Sequence, residues 1–369
     1  MSCRDSQWDD VLSAANAFAF CCEIQNVTPC GNGHINHTFI LTSECGKRYI
    51  LQILNTDIFK NPQGVIDNIL AVTNHIRGKL SADGGDVQRG TLKLVPTKQD
   101  SNTYYHIDDA GRFWRAYDFV EGTVCRLTVD SVDTFEKVGY AFGHFQSQLA
   151  DFDASILAES IPDFHHTPKR YAHFAQTVER DPVGRVGEVR DAIAWLEERA
   201  EQCHVITDAL SCGKIPLRVT HNDTKLSNIL LDETTEESVC IIDLDTVMPG
   251  SVLYDFGDAI RSGASTATED EQDLSKVGFR ADMFCAFAKG FLKGMGGAVS
   301  REEQALMPHG AWTIIYEQAI RFMDDYLSGD TYYHIDYPTH NLVRAKNQMK
   351  LLGELEKQMQ DLKNYIQTL

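Results

Sequence analysis

The sequence predicts an α+β protein in two lobes: a small β-rich N-terminal lobe over residues 1–120 and a larger, mostly helical C-terminal lobe over 121–369. Three observations lead there. At 369 residues the chain is long for one hydrophobic core. From about residue 25 to 120, short apolar runs broken by turn residues have the texture of strands. After "VEGTVC", residues 120–125, apolar residues recur every three to four positions, the texture of amphipathic helices.

The elements follow in order. "HTFILTSECGKRYILQIL", residues 37–54, reads as strand, turn and strand, with Cys45-Gly46-Lys47 at the turn. In "NPQGVIDNILAVTNHIRGKL", Val65, Ile66, Ile69, Val72 and Ile76 keep a helical period and Pro62 sits in the first turn, as an amphipathic helix requires. "TLKLVPT", "TYYHIDD" and "FWRAYDFV" read as three further strands. Phe135, Val138, Phe142, Phe145 and Leu149 form one helical stripe behind a cap region at Ser131 and Asp133. Residues 188–210 read as one long helix around Ile193, Leu196 and Val205, and the Leu/Lys/Gln-rich tail as a final amphipathic helix.

Charge and cysteine usage narrow the function classes. A formal charge of −19 repels phosphate backbones and anionic lipids, so neither nucleic acid nor a membrane surface is an expected partner. A nucleotide can still bind where metal and local donors offset the field. The ten cysteines show no C-x-x-C pair and no Cys/His zinc spacing, and read mostly as small buried hydrophobes in a reducing compartment. Asp9 and Asp10 stand near the start, where a leader would carry positive charge, so a cytoplasmic protein is expected. With no exposed apolar helix in the pattern, it is expected to be a monomer.

The chemistry concentrates in "THNDTKLSNILLDE", residues 220–233, and "CIIDLDTVMPG", residues 240–250. Taken singly, an Asp in a turn is usually a cap, His221 is a structural residue holding its loop, and Asp245 is either a second ligand or a capping acceptor. Together they form H-x-D-x-x-x-x-N, then a strand delivering Asp243, then "YDFGDAIR" at 254–261. Phosphoryl transfer from a nucleotide needs a carboxylate near the acceptor hydroxyl and hard oxygens on a metal. Asp223 suits the first task, Asn228 and Asp243 the second, and Lys225 can neutralise charge on the moving phosphoryl group.

"HNDTKLSN", "IIDLDTVMPG" and "YDFGDAIR" resemble the aminoglycoside phosphotransferase and choline kinase superfamily, which has a protein-kinase-like fold. More narrowly, "GNGHINHTF", "LQILN", "NPQGVIDNI", "RFMDDYLSGDTYY" and "HNLVRAKNQMKLL" resemble the N-acetylhexosamine 1-kinases, which phosphorylate the anomeric hydroxyl of N-acetylglucosamine and N-acetylgalactosamine. The resemblance implies Asp223 as catalytic base, Asn228 and Asp243 as Mg2+ ligands, and ATP as phosphoryl donor. Asp255 and Asp258 are then scaffold. The alternatives are a kinase for an aminoglycoside, choline or homoserine, and a nucleotide-binding pseudokinase.

The chain departs from the protein-kinase pattern where that pattern has a strand lysine paired with a helix glutamate. Here the strand offers Gln52 and the helix Asp67. Losing both members together avoids a stranded charge. Gly31 and Gly33 permit backbone approach to phosphate, and Asp118, in "YDFVEG", marks the connector where backbone groups would meet the adenine edge. His34, with Asn36 or His37, is expected toward the acceptor sugar. Arg321 is expected to bind the sugar, against the simpler reading of an ion pair with Asp324 or Asp325; "DFHHTP" (163–168), Tyr316, Tyr332 and Tyr333 could line the same pocket.

Overall fold

A computed structural model of the chain describes residues 3–30, 35–129 and 131–369; Gly31, Gly33 and His34 therefore lie outside the described residues. The fold is α+β, with antiparallel strands gathered toward the N-terminus and helices toward the C-terminus. It divides into two compact units, Met1–Val124 with Ile156–Pro162 and Leu230–Val247, and Cys125–Ser155 with Asp163–Ile229 and Met248–Leu369. Where the sequence suggests a single boundary at 120, the chain returns twice to the first unit after leaving it.

Among the described residues, the first unit opens with helix α1 (Cys3–Ala15) and carries a five-stranded antiparallel sheet. Its strands are β1 (Ile24–Pro29), β2 (His37–Ser43), β3 (Arg48–Leu54), β4 (His106–Ile107) and β5 (Phe113–Asp118), in the order β1-β2-β3-β5-β4. Side chains alternate across a strand. Tyr49, Leu51, Trp114, Ala116, Phe39 and Leu41 thus share one face and form a core with Val11, Ala14 and Phe18. The other face carries Gln52, placed opposite Thr38 on one neighbour and Arg115 on the other. Helix α2 (Pro62–Ala82) starts as expected, with Asn61 accepting from the Gly64 N–H at 3.0 Å and Pro62 in its first turn.

Two expected strands shrink. "TLKLVPT" makes only bridges, Leu94 to Tyr117 and Thr97 to Phe18, since Pro96 lacks the N–H that a ladder needs. "TYYHIDD" narrows to His106–Ile107. The strands Ile229–Asp232 and Ser238–Ile241 form a hairpin.

The second unit is helical: α3 (Val132–Gln148), α4 (Thr167–Arg180), α5 (Arg190–Glu197), α6 (Val205–Ser211), α7 (Val252–Gly263), α8 (Ala281–Met295), α9 (Arg301–Leu327) and α10 (His340–Ile366). The single helix expected over 188–210 is broken by a 3-10 segment at Ala200–His204. The Arg199 N–H bonds to Leu196 O at 3.1 Å, while its guanidinium takes Trp195 O at 2.9 Å and stacks over the Trp195 ring. That side chain satisfies the carbonyl to which an α-helix would have bonded the backbone, and the turn tightens.

The helices meet backbone to backbone at glycines. A Cβ on Gly290 of α8 would stand 1.9 Å from Glu136 O of α3, and one on Gly257 of α7 would stand 2.4 Å from Gly310 O of α9. The cysteines do not follow expectation. Among the described residues Cys203 and Cys240 are buried, whereas Cys21, Cys45, Cys125 and Cys212 are exposed. Apolar neighbours in sequence do not bury a residue that stands in a turn or at an element's end. Among the described residues, no helix is long and apolar enough to cross a membrane.

The glycine contacts separate two substitutions. Gly257→Ala must push α7 off α9 and is expected to cost about 1–3 kcal/mol, the usual range for overpacking. Gly78→Ala in α2, where an added Cβ meets nothing within 4 Å, is expected to stabilise by about 0.5–1 kcal/mol. Urea unfolding of both variants checks the pair.

Candidate active site

The motif loop of the second unit is built from its backbone outward. Strand Arg218–Thr220 pairs with Met248–Gly250 and leads into His221, while Ser251 caps the start of α7. Asp255, fully buried in the first turn of α7, accepts from the His221 N–H at 2.9 and 3.0 Å, the Asn222 N–H at 2.7 Å and Gln146 Nε2 at 2.7 Å. One turn later Asp258 accepts from the Thr224 N–H at 2.9 Å and from Arg261 at 3.2 Å, and the Thr224 hydroxyl donates to Asp255 O at 2.6 Å. These bonds hold Asn222 at φ 64°, a left-handed conformation that a non-glycine residue adopts only when its surroundings impose it.

Asp223 stands between the pinned residues. Its N–H donates to His221 Nδ1 at 3.2 Å, and the His221 ring is wedged edge-on to Phe142 and Phe145. The carboxylate is held at both oxygens: Lys225 Nζ lies 2.5 Å from Oδ1, and Asn228 Nδ2 donates to Oδ2 at 2.9 Å. Asn228 also donates to Asp223 O at 2.8 Å. With its amide nitrogen so engaged, Asn228 presents Oδ1, a hard oxygen of the kind magnesium takes. His221, Asp223, Lys225 and Asn228, four of the sequence-predicted residues, thus come together here.

Burial pushes the Asp255 carboxyl up against the pull of His221 and the loop N–H groups. Burial also acts on Asp258, but Arg261 and Lys225 outweigh it and hold that carboxyl below its ordinary value. Lys225 is pulled down by burial, and Asp223 and Asp258 together more than reverse this.

In the first unit, Asp243 follows strand Ser238–Ile241 in a left-handed conformation, φ 61° and ψ 57°, and opens the 3-10 turn Leu244–Thr246. Asp245, two residues on, is buried. It pairs with Arg115 Nη1 at 2.5 Å and accepts from Asn36 Nδ2 at 2.6 Å, while the Asn36 Oδ1 accepts from the Asn55 N–H at 3.0 Å. Arg115, 1% exposed, donates from Nε and Nη2 to Gln52 Oε1 at 3.0 and 2.9 Å, and Gln52 Nε2 donates to Thr38 at 3.0 Å. Burial pulls the guanidinium down, and Asp245 overrides it to raise Arg115 well above its usual range.

Sequence reasoning missed two residues in this unit. Arg115 supplies a cation one strand away from the position where a kinase lysine would stand. Its signal was a charged residue in "FWRAYDFV", where a buried strand has no place for an unpaired charge. Asn68 is the other: buried on α2, it donates to Ala158 O at 2.7 Å and Val247 O at 2.8 Å and accepts from the Ala158 N–H. Asp67 beside it is exposed and accepts from Gln63 at 2.8 Å. Asp118 ends β5 between Lys47 at 2.9 Å and Lys93 at 3.3 Å.

A second cluster in the helical unit surrounds Arg321 of α9. Its guanidinium lies 5.6 Å from the Phe164 ring, 5.6 Å from Tyr333 and 5.9 Å from Tyr332, and donates to Gln318 at 3.3 Å. Neither expected carboxylate partners it. Asp325 accepts instead from the N–H groups of Thr331, Tyr332 and Tyr333, and Asp324 faces His173. Tyr316 belongs to the core, its hydroxyl on Leu196 O at 2.9 Å and its ring stacked on Trp312. Buried Glu317 accepts from Thr167 at 2.7 Å, stands 2.8 Å from His165 Nδ1, and draws further stabilisation from Arg170 and Arg321.

A model described as "Phosphotransferase enzyme family" matches residues 26–283. Among solved structures, the chain is similar to a microcompartment-associated aminopropanol kinase (14% identity, TM-score 0.63, covering 96% of this chain and 98% of that one). It is also similar to an aminoglycoside phosphotransferase from Alicyclobacillus acidocaldarius (12%, 0.61, 97% and 96%) and to a choline kinase from Cryptosporidium parvum (12%, 0.55, 91% and 90%). A family match over most of the chain, together with a fold shared nearly end to end with such kinases, makes this protein a member of the phosphotransferase enzyme family.

Proposed function

We propose that the protein is an ATP- and magnesium-dependent small-molecule kinase that transfers phosphate to the anomeric hydroxyl of an N-acetylhexosamine, giving the sugar 1-phosphate. The observation that carries the kinase reading is the Asp223 carboxylate, gripped by Lys225 and Asn228 on a backbone pinned by Asp255. A carboxylate so restrained can orient an acceptor hydroxyl and take its proton as the oxygen attacks. Lys225 at 2.5 Å tempers the carboxylate's charge and stands ready for charge developing on the phosphoryl group. Asn228 Oδ1 and Asp243 are the oxygens offered to Mg2+, which when bound neutralises nucleotide phosphate charge.

The nucleotide role of Gln52 rests on Arg115. With Oε1 fixed by two guanidinium bonds, the amide nitrogen faces away as a donor, and a neutral donor replaces the strand lysine. Gly31, Gly33 and Asp118 keep the nucleotide-side roles, and His34 the sugar-side role, that the resemblance gives them. Asn36, bonded to Asp245, is a positioning residue. Arg321, framed by Phe164, Tyr332 and Tyr333, suits a sugar that offers both an apolar ring face and hydroxyl and acetamido acceptors. That composition, with the flanking phrases "GNGHINHTF" and "RFMDDYLSGDTYY", supports an N-acetylhexosamine over choline, homoserine or an aminoglycoside.

Three measurements test these assignments. Asp223→Asn is expected to lower kcat by about 10²–10⁴-fold, the range for a general base, with ATP affinity retained; unchanged turnover removes Asp223 from the mechanism. Phosphorus NMR of a reaction with N-acetylglucosamine is expected to show phosphate on the anomeric oxygen. Turnover with choline, homoserine or an aminoglycoside and none with hexosamines reassigns the acceptor, and magnesium-dependent ATP binding without turnover on any of them indicates a pseudokinase. Arg115→Met leaves Asp245 buried without its cation and is expected to cost about 3–5 kcal/mol of stability. Arg115→Lys is expected to recover most of that loss while raising KM for ATP, because one ammonium cannot both pair Asp245 and fix the Gln52 amide.

A further inference from the structure

A cluster of sulfur lies outside the kinase machinery. Cys21 and Cys22 precede β1, and Cys45 sits in the β2–β3 turn. The two segments are joined by the Glu44 N–H bonding to Glu23 O at 2.9 Å and by the β1–β2 ladder beginning at Ile24 opposite Ser43. All three sulfurs lie within 4.8 Å of one another, with Cys21 Sγ and Cys45 Sγ at 3.4 Å. Cys21 and Cys45 are exposed and Cys22 half-buried.

The cluster is built. The buried Tyr49 hydroxyl donates to Cys21 Sγ at 3.1 Å and accepts from the Cys21 N–H at 3.1 Å. Ser43 Oγ lies 3.3 Å from Cys45 Sγ and is itself fixed by donating to Lys47 O at 2.8 Å. The turn is closed by the Ser43 N–H on Lys47 O and the Gly46 N–H on Ser43 O, with Gly46 at φ 82°. Such hydrogen bonds to sulfur orient ligands at metal sites.

We infer that Cys21, Cys22 and Cys45 form a surface site for one thiophilic d10 cation, Zn2+ being the representative. Metal–sulfur bonds of about 2.3 Å in a tetrahedral site place sulfurs roughly 3.8 Å apart, inside the observed span. A three-sulfur set leaves a fourth position to solvent or a small exogenous ligand. A disulfide between Cys21 and Cys45 would leave the Cys22 sulfur, also within 4.8 Å, without a role.

The test is titration of the reduced, chelator-treated full-length protein with Co2+, displaced by Zn2+, and followed by thiolate-to-cobalt charge-transfer absorption. One equivalent is expected, with affinity lowered about tenfold or more in each of Cys21→Ser, Cys22→Ser and Cys45→Ser and unchanged in the control Cys212→Ser. No charge-transfer absorption, or absorption undiminished in the triple Ser variant, overturns the site. So does a mapped Cys21–Cys45 disulfide in protein whose reduced form takes up no cobalt. Circular dichroism checks that each variant is folded, as the surface position of Cys21 and Cys45 leads one to expect.

Discussion

The loop that carries Asp223 depends first on one buried carboxylate behind it. Asp255 accepts two consecutive loop N–H groups and a glutamine amide in full burial. A buried carboxylate carries a desolvation penalty of several kcal/mol unless its lone pairs are filled. Three donors fill them, and the positive end of α7 favours the anion in that helix's first turn. In return the loop cannot relax: Asn222 stays left-handed, and Asp223 is presented on a backbone with no freedom to turn away. Restraint of that kind is what gives a positioned base its advantage over a free carboxylate.

The first unit solves a different electrostatic problem. Without a strand lysine and a helix glutamate, the face that bears Gln52 still carries a buried positive charge. Arg115 supplies it from the neighbouring strand, directly opposite in register. The guanidinium can serve two partners because its donors point in different directions: Nη1 toward Asp245, Nε and Nη2 toward Gln52. A lysine in either place would have met one of them. The carboxylate held this way sits two residues from Asp243, so the buried pair also limits where the predicted metal ligand can move.

How much of this was legible in the sequence follows from the range of each interaction. The β2–β3 hairpin, α2 with Pro62 in its first turn, the stripe of α3 and the H-x-D-x-x-x-x-N loop are set by residues within a few positions of one another, and local pattern reads them. The break at Arg199 was not legible, because the guanidinium that takes Trp195 O is also anchored by Glu356 of α10. Arg115 was not legible as a partner of Asp245, since one stands on the five-stranded sheet and the other in a turn after a strand of a different sheet, far apart in sequence. The sulfur cluster failed for the same reason: Cys45 joins Cys21 and Cys22 through a ladder, and no C-x-x-C spacing announces it. Asp324 and Asp325 looked like natural partners for Arg321 by proximity in sequence, yet Asp325 is turned inward to cap the 331–333 backbone.

Within the helical unit, backbone contact fixes the relation between the Asp223 loop and the Arg321 cluster. Helix α7 carries the two carboxylates that shape the Asp223 loop, and α9 carries Glu317 and Arg321. At Gly257 and Gly310 the two helices touch with no side chain between them. Side chains can adjust to a substitution by changing rotamer; two backbones in contact cannot. The charges follow the same route, since His165 pairs with Glu317 and also steadies Asp258. The offset between Asp223 and Arg321 is therefore set by the fold.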